Sequence, residues 1–174
     1  MNAAFLQSSG LPLESAYPYT ATDGSCAAAA AGWQSKAYKV GAWGSVGHDV
    51  TSLKTALLKY GPMPVAMMVY EDFMHYKNGV YSYTTGKQLG GHAILLVGYN
   101  DAGQYFIVKN SWDTGWGEGG FFRIAYSEVD TDVNFGMSAI AYRTAKDEVP
   151  VGEAARETTW SRVAHMFDSL SSWK

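Results

Sequence analysis

Apolar residues recur at three- and four-residue spacing over Asp49–Tyr60, where Val50, Leu53, Leu57 and Tyr60 share one helical face. Asp49 is placed to cap that helix and Gly61-Pro62 to end it. From there the period shortens. Pro64–Tyr70 reads as a strand, Glu71–Asn78 as a loop with room for a helical turn, and Gly79–Tyr83 as a short strand. His92–Asn100 and Gln104–Asn110 are two apolar runs joined by Asp101-Ala102-Gly103, the punctuation of a hairpin. Gly119–Tyr126 and Phe135–Tyr142 supply further strands. Strands outnumber helices after residue 61 and their connections are short, which predicts an α+β fold built on an antiparallel sheet curled towards a barrel.

The ends of the chain read differently. Met1–Gln7 has the character of a helix running into a Ser-Ser-Gly stop, and Leu11–Thr20, with two prolines, that of an extended surface segment. Residues 33–46 read as loop with some strand. Residues 144–152 form a polar linker, and 153–174 an amphipathic helix with Trp160, Val163, Phe167 and Leu170 on one face. That tail is expected to dock on the domain's own surface or to contact a further domain.

Composition narrows the function classes. With 174 residues, 47% of them hydrophobic, the chain can bury one sizeable core. A formal charge of −3 supplies no basic field, so nucleic acid and anionic membranes are poor partners. No apolar run approaches the roughly 20 residues of a membrane-spanning helix, and the opening MNAAFLQSSG lacks the regions of a signal peptide. His48, His75, His92 and His165 have neither close ligand spacing nor thiolate company, so no metal is expected. The glycines of GWGEGG follow tryptophans rather than a strand entering a helix, which argues against a phosphate-cradling loop; no cofactor is expected.

The chemistry concentrates in Leu89–Arg123. His92 opens one apolar run, Asn110 closes the next, and Trp112 follows two residues later in a Trp/Gly-rich stretch. Thiol catalysis needs a thiolate, best made by pairing cysteine with an imidazolium. The histidine must then return a proton to the leaving amine, so its ring has to be held in one orientation, and a side-chain amide can do this without adding a second negative charge. A hairpin bringing Asn110 beside His92 meets that demand, and an indole over the pair would exclude water and strengthen the bond. Each residue alone has an ordinary structural explanation; the order of the three is far more specific. The sole cysteine, Cys26, has by itself only the ordinary expectation of a bystander thiol.

These residues carry a resemblance. GGHAILLVGY and KNSWDTGWGEGGFFRI strongly resemble the histidine and asparagine motifs of the papain-like cysteine proteases. LPLESAYPYTATDGSC, YGPMPVAMMVYEDFMHYKNGVY and NFGMSAIAYRT resemble other segments of the same family, so the likeness runs over residues 1–143 and leaves 144–174 outside. It implies the sheet-rich half of a papain-like fold, a polypeptide substrate, His92 as acid/base, Asn110 as its orienting group and Trp112 as their shield. It further implies that Gly90, Gly91 and Ala93 flank the substrate cleft, that Ala66 lines a side-chain pocket, and that the compartment is secreted or lysosome-like.

In that family the nucleophile stands roughly 130–150 residues before the histidine and asparagine, in a C-G-[SA]-C-[WY] setting. Cys26 is far too close to His92, and its context DGSC resembles a cysteine that the family normally uses in a disulfide. The expectation is therefore a fragment or truncated reading frame that carries the His/Asn half, needs a nucleophile-bearing papain-like domain in cis or in trans, and is inactive alone. Such a half would expose an apolar face and self-associate. The alternative is a non-catalytic module that keeps the fold as a peptide- or partner-binding surface, with Trp160 and Phe167 as its contact.

Overall fold

The computed structural model describes residues 3–143, so the expected linker and tail helix lie outside the described residues. The described residues divide into two compact units, one of residues 3–43 with 142–143 and one of residues 44–141.

The first unit holds helix α1 (Ala3–Ser8) and single 3-10 turns at Glu14–Ala16, Cys26–Ala28 and Trp33–Lys36. The first of these turns interrupts the segment expected to be extended throughout. Leu11 and Tyr38 form an antiparallel bridge, each N–H donating to the other's carbonyl at 2.9 Å. Of this unit's described residues only Ala3 and Gly10 are buried. Strand β1 (Ala42–Ser45) pairs with β7 (Ile140–Arg143) in a separate two-stranded sheet. The strand expected over Phe135–Tyr142 is thus confined to its end, because Asn134, Gly136 and Ser138 take positive φ and break the extended run.

The second unit is built on α2 (Val50–Tyr60) and a five-stranded sheet. The Asp49 carboxylate accepts the Ser52 N–H at 2.8 Å and caps α2. Gly61, at φ 83°, lets the chain leave the helix where a side chain would be strained. Leu53, Ala56 and Leu57 form the buried stripe of α2.

The sheet strands are β2 (Met63–Tyr70), β3 (Val80–Tyr81), β4 (Gln88–Asn100), β5 (Tyr105–Lys109) and β6 (Phe121–Ala125), in the order β2-β4-β5-β6-β3. All neighbours are antiparallel except β3, which runs parallel to β6 through Val80–Arg123 and Tyr81–Ile124. The sheet is thus mainly antiparallel, as expected, with this one parallel pairing. β3 is only two residues long and enters from the loop after the 3-10 turn Glu71–His75, not from a hairpin.

Alternation along the strands fixes the core. Met63, Val65, Met67 and Val69 of β2, Ile94 and Leu96 of β4, Phe106 and Val108 of β5, and Phe122 and Ile124 of β6 are buried together with the stripe of α2. At about 1.5–3 kcal/mol for each large apolar side chain removed from water, these rows dominate the stability of the unit.

Candidate active site

Register explains how the site is assembled. Leu96 pairs with Val108, so the core-facing rows His92, Ile94, Leu96 and Phe106, Val108, Asn110 run side by side in opposite directions. Both rows end at the same edge of the core, and the terminal members are the imidazole and the amide. His92 Nε2 lies 2.8 Å from Asn110 Oδ1. The same oxygen accepts the Ser111 N–H at 2.8 Å. Since a backbone N–H can only donate, the atom between them must be the amide oxygen, and His92 Nε2 must carry a proton. His92 Nδ1 is then the ring nitrogen with a free lone pair.

Asn110 is 7% exposed, and its own N–H donates to Gly120 O at 2.9 Å. Among the described residues its Nδ2 has no hydrogen-bond partner and is buried. Leaving such a donor unmade costs about 1–3 kcal/mol, so the amide is held in this orientation against a local penalty.

Trp112 stacks on the His92 ring, with centroids 4.8 Å apart and planes 27° apart. Phe73 and Trp116 meet Trp112 edge-on at 5.6 and 5.1 Å. The loop behind them is tightly turned. Gly117 has φ 57°, and a Cβ there would stand 2.6 Å from the Phe121 carbonyl oxygen. Glu118 ties this loop to its surroundings, accepting from Gly79 N–H at 3.0 Å and from Arg123 Nε at 3.1 Å. The bond to Glu118 pushes the Arg123 guanidinium further up, and burial pushes the Tyr76 hydroxyl up to about 12.

The remaining residues expected at the cleft lie around the His92 end of β2 and β4. Ala66 pairs with Ala93, Gly91 with Met68, and Gly90 with Val69. Ala66 N–H donates to Met137 O at 2.8 Å, so this edge of β2 is also braced by the segment before β7. Cys26 is exposed on its 3-10 turn. His48 Nε2 contacts Phe135 O at 3.0 Å, and His75 is exposed. Among the described residues no group of three or more His, Cys, Asp or Glu side chains is placed to hold a metal ion.

Sequence reasoning assigned no role to Phe73, Trp116 or Asp72. The available signal was the run EDFMHY, whose aromatics precede the histidine strand. It carries no periodicity, because a five-residue 3-10 turn is too short to show one.

A sheet-rich α+β unit with a His–Asn pair at its rim, roofed by a tryptophan, defines a papain-like protein. A model of the papain family cysteine proteases matches residues 1–142, and the chain belongs to that family. It is 40% identical over 115 residues to the Cathepsin B-like protease 1 of Arabidopsis thaliana, covering 64% of this chain and 30% of that protein. It is 39% identical over 129 residues to the Cathepsin B-like CP2 of Giardia intestinalis, covering 69% of this chain and 43% of that protein. The solved structure of proCathepsin B S9 from Trypanosoma congolense superposes with a TM-score of 0.67 at 27% identity, over 80% of this chain and 51% of the other. The chain therefore spans less than half the length of these two curated relatives.

Proposed function

We propose that this chain supplies the acid–base half of a cysteine peptidase, and that the thiolate comes from a papain-like domain outside these 174 residues, in cis or in trans. The observation that carries this reading is the 2.8 Å contact between His92 Nε2 and Asn110 Oδ1 beneath Trp112. With Nε2–H engaged, Nδ1 of His92 takes the thiol proton. The thiolate attacks the peptide carbonyl, and the protonated Nδ1 then delivers its proton to the leaving amine. The acyl-thioester is hydrolysed by water deprotonated at the same nitrogen. Asn110 keeps the ring in one plane through both transfers, and Trp112 keeps water from competing for the bond. Gly90, Gly91, Ala93 and Ala66 line the substrate side. Gly90 leaves its strand backbone uncovered, since a Cβ there would meet nothing within 4 Å.

In this reading the chain by itself does not hydrolyse peptides. Treatment with a mechanism-based thiol-protease probe should leave it unlabelled, and labelling of Cys26 with peptide turnover would overturn the proposal. Reading the coding sequence upstream for an in-frame Q-x-x-x-x-x-C-G-S-C-W stretch tests the cis version. Supplying that domain separately and measuring peptidase activity tests the trans version. Loss of activity on His92→Ala in the completed enzyme is required by both.

A further inference from the structure

We propose that Phe73 is a positioning residue that sets the angle of Trp112 over His92. The inference rests on His92 being the acid–base group, but its test reads ring positions and not turnover, so the two can fail separately.

Trp112 is only half-buried and lies in a loop, so stacking on one imidazole does not by itself fix its plane. Among the described residues its other ring contacts are edge-to-face pairs with Phe73 and Trp116, at interplanar angles of 62° and 81°. Edge-to-face pairs of this kind contribute about 0.5–1.5 kcal/mol each beyond area burial. Phe73 is the hub of the cluster. It is 0% exposed and also meets Tyr81 at 4.9 Å, Trp116 at 5.1 Å and Phe122 at 4.9 Å.

The turn carrying Phe73 is tied to the strand carrying His92. Glu71 N–H donates to Lys87 O, and Lys87 N–H donates to a Glu71 carboxylate oxygen, both at 3.1 Å. Lys87 immediately precedes β4. Next to Phe73, the Asp72 carboxylate accepts from Tyr81 Oη at 2.8 Å, Thr84 N–H at 2.9 Å, Thr84 Oγ1 at 3.1 Å and Thr85 N–H at 3.3 Å. One short turn thus grips the base of the imidazole's strand on one side and the ring that roofs the imidazole on the other. The relative placement of His92 and Trp112 is referred to a single rigid element.

The test is proton NMR of the full 174-residue chain. A stacked indole shields protons above its face, so the His92 ring signals should lie upfield and show cross-relaxation with Trp112. In Phe73→Leu the upfield displacement and the cross-peaks should be lost. Phe135→Leu removes an equally buried ring that packs on Phe106 at 5.4 Å, and it should leave the His92 signals in place despite its own loss of stability. Trp116→Phe, which keeps an edge against Trp112, should retain most of the displacement. If Phe73→Leu does not fold, Asp72→Asn loosens the same turn from outside the core and should move the His92 signals part of the way downfield. Unmoved His92 signals in a folded Phe73→Leu, or in Asp72→Asn where that variant stands in, would overturn the proposal, as would equal movement in Phe135→Leu.

Discussion

His92 and Asn110 stand at the same end of two antiparallel core rows, and their side chains meet at 2.8 Å because Leu96 pairs with Val108. Removing the amide should therefore loosen the imidazole without unfolding the sheet. A hydrogen bond to a charged group contributes about 1.5–3 kcal/mol, so Asn110→Ala should lower kcat of the completed enzyme roughly 10- to 150-fold. His92→Ala should cost about 10²–10⁴-fold or more, since in the proposed mechanism it removes the proton carrier itself. Steady-state kinetics on a peptide substrate check both, and equal losses for the two variants would show that Asn110 does more than orient.

Much of this pairing was legible in the sequence. The alternation His92-x-Ile94-x-Leu96 and Phe106-x-Val108-x-Asn110, with a short polar turn between, requires the polar ends of both rows to share an edge once the apolar members share a core. The Trp/Gly stretch was equally readable as a roof, since its residues follow Asn110 directly. Phe73 was not legible, because its role depends on a 3-10 turn brought back against Trp112 by hydrogen bonds from Thr84, Thr85 and Lys87, and none of these leaves a periodic trace. The parallel pairing of β3 was hidden for the same reason: two residues cannot announce their direction.

Two glycines of the tryptophan loop should differ sharply in their tolerance of a side chain. Gly117, with positive φ and its Cβ position 2.6 Å from a backbone oxygen, has no room to adapt. Gly117→Ala should destabilise the chain by about 1–3 kcal/mol. At Gly115 a Cβ would meet nothing within 4 Å, and Gly115→Ala should fall within about 0.5 kcal/mol of the parent. Denaturant titrations of the two variants under the same conditions make the comparison.

Asp72 should make the stability of the second unit fall in acid. Burial raises its carboxyl, but the hydrogen bonds from Thr84, Tyr81 and Thr85 outweigh burial and hold it below the ordinary value of 3.8. A carboxyl whose folded value is depressed contributes stability that is present above the unfolded value and is lost as pH falls through the folded one. The contribution should therefore be full near neutrality and disappear below about pH 4. Because Asp72 is largely accessible to solvent screening, its total effect should be about 1 kcal/mol or less. Asp72→Asn should flatten this acid dependence; thermal melts of both proteins between pH 3 and 7 would measure the difference.

Leu11, Leu13 and Tyr38 should drive self-association of the isolated chain. Leu11 and Tyr38 face each other across an antiparallel bridge, which sets their side chains on one side, and Leu13 follows two residues on along an extended backbone. They are 53%, 54% and 70% exposed, and large apolar side chains left in water favour association. Neither leucine forms part of a buried core, so Leu13→Ser with Tyr38→Ser should leave the fold of residues 44–141 intact while removing most of the apolar contact. Sedimentation velocity should show oligomers for the parent chain and a shift towards monomer for the double variant. A parent chain that stays monomeric at high concentration would overturn this prediction.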